Sequence, residues 1–225
     1  MTISSTVGRF TVAAMISGAL TLATIAGAAA QGGKSAPAGN GEFDGSAFSC
    51  LNYTNGLGDN ASTKAQSMLA RLWMQGYLAG YYKGQGKLEM SAEKGDDDKL
   101  ASLMLQKCRE YPQVSILTVS MQAIAKEAHK IPNTAPIDFS PANYTCAMHV
   151  DAKKGSAADA AKSDLAELWA FAFIQGFKNV AQADMVIPMD NKPVLTGAVG
   201  RNCEKNRDMK YMDLTALVAE KVKLQ

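Results

Sequence analysis

Along residues 65–80, Ala65, Met68, Leu69, Leu72, Trp73, Gly76, Tyr77 and Gly80 fall at three-and-four spacing and share one face. That period predicts an amphipathic helix starting near Ser62 or Thr63. A second helix is predicted from the acidic run Asp96, Asp97 and Asp98, where carboxylates complement a helix start, with Leu100, Leu103, Met104 and Cys108 on one face behind it. Pro112 ends that run, and Leu117, Met121, Ile124 and Ala128 mark a third helix. The plan then returns. Leu165, Leu168, Trp169, Ala172, Phe173, Gly176 and Phe177 repeat the first pattern; Leu195, Ala198, Val199 and Cys203 repeat the second; Leu214, Leu217, Val218 and Val222 repeat the third. No stretch alternates as a strand does, so the fold class expected is all-α: two small helical bundles in tandem. The segments LNYTNG and AMHVDA, next to Cys50 and Cys146, have too poor a period to assign.

The order Cys50, Gly76, Cys108 followed by Cys146, Gly176, Cys203 marks an internal repeat. A glycine inside a helix costs about 1 kcal/mol relative to alanine. Gly76 and Gly176 therefore predict close approach of another helix, with Trp73, Tyr77, Trp169, Phe173 and Phe177 filling the space around the contact. The same aromatic stripe read functionally is a surface for a ligand or client.

Of the 225 residues, 1–30 read as a secretory signal peptide: Arg9, an apolar run over 12–25, then Ala28, Ala29 and Ala30. Ser17 and Gly18 break the run, which is too short for a membrane anchor. Residues 31–47, rich in Gly, Ser, Ala and Pro, read as a disordered lead-in. A first module over 48–130, a Pro-rich linker over 131–143 and a second module over 144–225 complete the organisation. Modules this small bury little apolar surface and commonly need a covalent staple. Four cysteines permit three pairings, and the nearly equal intervals Cys50 to Cys108 and Cys146 to Cys203 select one bridge inside each module, formed outside the cytosol. There is no C-x-x-C, and His129 and His149 stand outside any ligand spacing, so neither a metal nor a cofactor is expected.

Charge changes the picture in one respect. With 23 Lys and Arg against 21 Asp and Glu and no basic stripe, nucleic-acid binding is not expected. In acid the cations lose their opposition and repel one another. Carboxylates that cap or pair also stop stabilising the fold as the pH falls through their lowered pKa values. Asp96, Asp97, Asp98 and Asp208, all at predicted helix starts, are the pH-sensing candidates; otherwise they are solvated surface charges. No phosphate loop, nucleophile elbow or H-E-x-x-H is present, so no catalytic residue is expected.

The residues FSC at Cys50, WMQGY around Gly76 and KCREYPQVSIL around Cys108 resemble the HdeA/HdeB family of periplasmic acid-stress chaperones. Its members carry a first cysteine after an aromatic or Thr, an aromatic-x-x-Gly-aromatic helix, and a proline two or three residues after the second cysteine, where this chain has Pro112 four residues after Cys108. The likeness covers the whole first module. The second module is similar through Tyr144, Thr145, Cys146, Gln175, Gly176, Phe177 and Cys203; it lacks the proline and aligns only with a one-turn shift around Gly176. The resemblance implies small one-disulfide bundles that dimerise at neutral pH and, in acid, loosen and bare apolar surface to unfolding clients. For this chain it implies a periplasmic chaperone-like protein whose partners are unfolded periplasmic proteins and whose modules pair as an intramolecular pseudo-dimer. The alternative is a neutral-pH binding protein, an immunity protein or inhibitor, that turns the same fold against one specific partner.

Overall fold

Polar side chains cap the first two helices. Ser49 accepts from the Asn52 amide at the start of α1 (Cys50–Asn55), and Asn60 accepts from the Ser62 and Thr63 amides at the start of α2 (Ala61–Gly84). These bonds satisfy amides that a helix leaves unpaired at its first turn. The computed structural model describes residues 43–223 apart from 59, 94, 129 and 134–138. The predicted signal peptide, most of the lead-in and part of the linker lie outside the described residues.

After α2 the chain passes through β1 (Met90–Ser91) and enters α3 (Asp96–Glu110) behind Gly95, whose φ of 97° only glycine adopts readily. The third predicted helix is α4 (Ile116–Val119), a π-helical turn (Ser120–Ile124) and α5 (Ala125–Glu127), followed by β2 (Ile131–Pro132). In the second half come α6 (Cys146–Ala152), α7 (Ala157–Ala181), a 3-10 turn (Met189–Asn191), α8 (Lys192–Lys205) and α9 (Tyr211–Lys221). The molecule is thus mostly helical. Strand was not expected anywhere, yet β1 and β2 pair in parallel, Met90 with Ile131 and Ser91 with Pro132. Two residues are too few for alternation to register, and the partners are distant in sequence.

Disulfides join Cys50 to Cys108 and Cys146 to Cys203, so one ties α1 to α3 and the other ties α6 to α8. Around them several contacts of one half recur in the other. Cys50 N donates to Val114 O at 2.8 Å and Cys146 N to Met209 O at 2.9 Å; Ile116 N donates to Phe48 O and Tyr211 N to Tyr144 O, both at 2.9 Å. The rings of Phe43 and Phe48 lie 5.0 Å apart, those of Phe139 and Tyr144 5.1 Å. Phe43 and Phe139 are both buried. Residues 43–47, assigned to the lead-in, and 139–143, assigned to the linker, therefore belong to the folded halves. A single aromatic among Gly, Ser, Ala and Pro carries no period, so composition hid both.

The two long helices α2 and α7 run parallel and make the most extensive helix contact among the described residues. Buried residues from both halves form one continuous core across it. No described helix is long and apolar enough to cross a membrane.

Candidate functional site

The α2–α7 seam brings together the aromatic and glycine residues singled out in the sequence. A Cβ on Gly80 would overlap the carbonyl oxygen of Phe173, and one on Gly176 would overlap that of Tyr77. These are the same contact made twice, with Tyr77 corresponding to Phe173 and Trp73 to Trp169. Gly80 is therefore the counterpart of Gly176, one turn beyond Gly76, at the place where the alignment needs its shift. Gly76 faces the seam as well, and a Cβ there would lie 2.5 Å from the Trp169 carbonyl oxygen.

Trp73, Tyr77, Trp169 and Phe173 are buried, and Phe177 is half-buried at the end of the seam near Gly84. Trp73 stacks on Tyr77 with ring centroids 5.6 Å apart, and Trp169 lies 5.2 Å from Phe173. In this conformation the stripe is interior and offers no surface to a client. Trp73 Nε1, Trp169 Nε1 and the Tyr77 hydroxyl have no hydrogen-bond partner among the described residues. Burial raises the Tyr77 pKa far above the usual phenol value.

The glutamines before Gly76 and Gly176 carry a role that periodicity did not suggest. Gln75 Nε2 donates to the carbonyl of Pro132, pinning β2 against α2. Gln175, also buried, donates to Asn179 Oδ1 and Met185 O, both at 2.7 Å, and accepts from Ile187 N at 2.6 Å. Both side chains satisfy backbone that returns from a loop to the long helix. The paired Gln-Gly spelling is the only sequence signal that points to them.

The four acidic candidates do not act as one group. Asp96, buried at the start of α3, accepts from Lys99 Nζ at 2.6 Å and from Ser91 Oγ at 2.5 Å, and these hydrogen bonds hold its carboxyl below the usual range. Asp97 pairs with Arg71 of α2, tying α3 to the seam helix. Asp98 is exposed. Asp208 is a correction: it lies exposed in the turn after α8, before Lys210 caps α9, and not at a helix start. The spacing to Tyr211 is set by the Tyr211 N to Tyr144 O bond, which sequence does not display.

His149, unassigned from the sequence, is fully buried on α6. Its Nδ1 lies 3.3 Å from Ser163 Oγ and its Nε2 3.9 Å from Glu167 Oε1. His129 lies outside the described residues. Among the described residues no group of three or more His, Cys, Asp or Glu is placed to hold a metal ion.

No protein-family model, curated protein or solved structure matches the chain.

Proposed function

We propose that this chain is an exported, chaperone-like protein of the periplasm that loosens in acid and holds unfolding clients on the apolar surface so bared, as its resemblance to the HdeA/HdeB family implies. The observation that carries this reading is the α2–α7 seam. It presses the aromatic-bearing helix of each half onto the backbone of the other, Gly80 against the Phe173 carbonyl and Gly176 against the Tyr77 carbonyl, with no disulfide across it. Each disulfide lies within one half. The bridges would hold each half together while the seam parts, so opening stays limited and reversible.

Buried polar atoms without a partner among the described residues, at Trp73, Trp169 and Tyr77, each forfeit about 1–3 kcal/mol that hydration on opening would restore at any pH. Acid acts through Asp96, whose carboxylate, held by Lys99 and Ser91 at the start of α3, stops stabilising the fold as the pH falls through its lowered pKa. In this reading the halves form the intramolecular pseudo-dimer, burying against each other what family members bury between chains.

The test is to incubate an aggregation-prone protein at pH 2 to 3 with and without the purified chain, and to repeat it at pH 7. Suppression of light scattering confined to acid is expected. No protection at either pH, with a near-UV spectrum unchanged on acidification, would instead point to a neutral-pH binder of one specific partner.

A further inference from the structure

The two halves differ most tellingly where they ought to match. In the first half a buried Tyr53 sits against Ser67, which donates to the Tyr53 carbonyl at 3.0 Å, and Arg71 follows one turn later on α2, paired with Asp97. The corresponding residues of the second half are His149, Ser163 and Glu167. A ring that cannot take up a proton, beside a cation, is thus replaced by a ring that can, beside a carboxylate.

The His149 ring lies 4.7 Å from that of Tyr211, which opens α9, and 6.3 Å from that of Tyr144, the residue whose carbonyl accepts from the Tyr211 amide. It is therefore the packing centre that joins α6, α7 and α9. The charged and titratable groups around it are Glu167 on α7, Lys153 at the end of α6, Tyr144, Tyr211, and Lys154, Arg201 and Glu204 lining the same shallow pocket. Lys153 Nζ holds Glu167 Oε1 at 2.5 Å, so the carboxylate nearest the imidazole is already engaged.

We propose that acid opening begins in the second half, with His149 as the trigger: proton uptake at this ring releases α6 and α9 from α7 while the first half, built on Tyr53 and Arg71, stays folded. This rests on the acid-loosening reading and deepens it by locating the first event. Desolvation, aided by Lys153 and opposed by Glu167, depresses the folded His149 pKa to about 4, against an ordinary value of about 6.5. The unfolded half then binds the proton more tightly than the folded one. Stability of the second half is complete above about pH 6.5, falls as the pH drops towards 4, and loses nothing more at this site below that. Across the window the unfolding equilibrium of that half shifts about tenfold per pH unit, about 300-fold in all.

The experiment uses no client, so its outcome is independent of whether the opened chain protects anything. Trp73→Phe leaves Trp169 to report the second half, and Trp169→Phe leaves Trp73 to report the first. Urea unfolding is followed by fluorescence from pH 7 to 4. The Trp169 midpoint is expected to fall through this range while the Trp73 midpoint holds. In a His149→Phe chain the Trp169 slope against pH is expected to vanish, whatever that substitution does to the midpoint at pH 7. A direct NMR titration should find His149 protonating near pH 4 in the folded protein. Equal slopes for the two tryptophans, an undiminished slope in His149→Phe, or a folded His149 titrating near 6.5 would each overturn the proposal.

Discussion

Gly80 on α2 and Gly176 on α7 are counterparts: each brings its helix onto the backbone carbonyl of the other, Gly80 onto Phe173 and Gly176 onto Tyr77. Backbone cannot retreat from an added methyl as a flexible side-chain tip can. Gly80→Ala and Gly176→Ala should therefore each destabilise the chain by about 1–3 kcal/mol, the usual range for overpacking. Gly197→Ala is the control, because its Cβ would meet only the tip of Arg201, at 3.3 Å. It should fall within about 1 kcal/mol of the parent on the side of greater stability, since alanine is the better helix former. Urea midpoints compare the three.

Removing a bridge should be costly in each half. The disulfides span 58 and 57 positions, and closing such a loop is worth about 4 kcal/mol in the chain-entropy model. The paired substitution Cys50→Ser with Cys108→Ser should lower stability by about that amount, and Cys146→Ser with Cys203→Ser likewise. Peptide mapping of the oxidised protein checks that each bridge lies within its own half.

The Asp96 carboxyl is held below the usual range by Lys99 first and Ser91 second. A lowered folded pKa stabilises the protein above the ordinary carboxylate value and ceases to do so as the pH falls through the folded one. Asp96→Asn should therefore unfold at lower urea than the parent at pH 7, and the gap should close as the pH drops below about 4. Midpoints measured from pH 7 to 2 supply the curve.

Gln175→Leu keeps the volume of the side chain but strands the Ile187 amide, which Gln175 now satisfies, while the Met185 carbonyl keeps its bond from Asn179 Nδ2 at 2.8 Å. Leaving a buried polar group unpaired costs about 1–3 kcal/mol. The loss should be local, so the Ile187 amide should exchange its hydrogen faster than amides within α7.

A seam inside one chain opens as a unimolecular event, because the tether holds the halves at an effective concentration of order mM. The acid midpoint, followed by near-UV circular dichroism, should stay in place over a hundredfold dilution.

Most of the helices could be read from residues that lie side by side in the chain. The face of Leu72, Trp73, Tyr77 and Gly80, the acidic start at Asp96 and the stop at Pro112 are local patterns of period and capping. The near-equal cysteine intervals were enough to select the pairing found. β1 and β2 were illegible, since two residues carry no period, and so was the place of Phe43, an aromatic set in glycine-rich sequence.

By itself, then, the sequence determined the longer helical segments and the recurrence of one plan, because backbone periodicity acts over a few consecutive residues. The short helices after Ser49 and Thr145, and Asn60 as the cap of α2, came only with the structure. Only the tertiary structure decided that Gly80 answers Gly176, that Gln75 and Gln175 pin returning loops, that Asp97 finds Arg71, and that His149 is sealed from water. Each of those depends on groups brought together from distant parts of the chain. Burial and pairing are properties of what arrives from elsewhere, and no local pattern records the arrival.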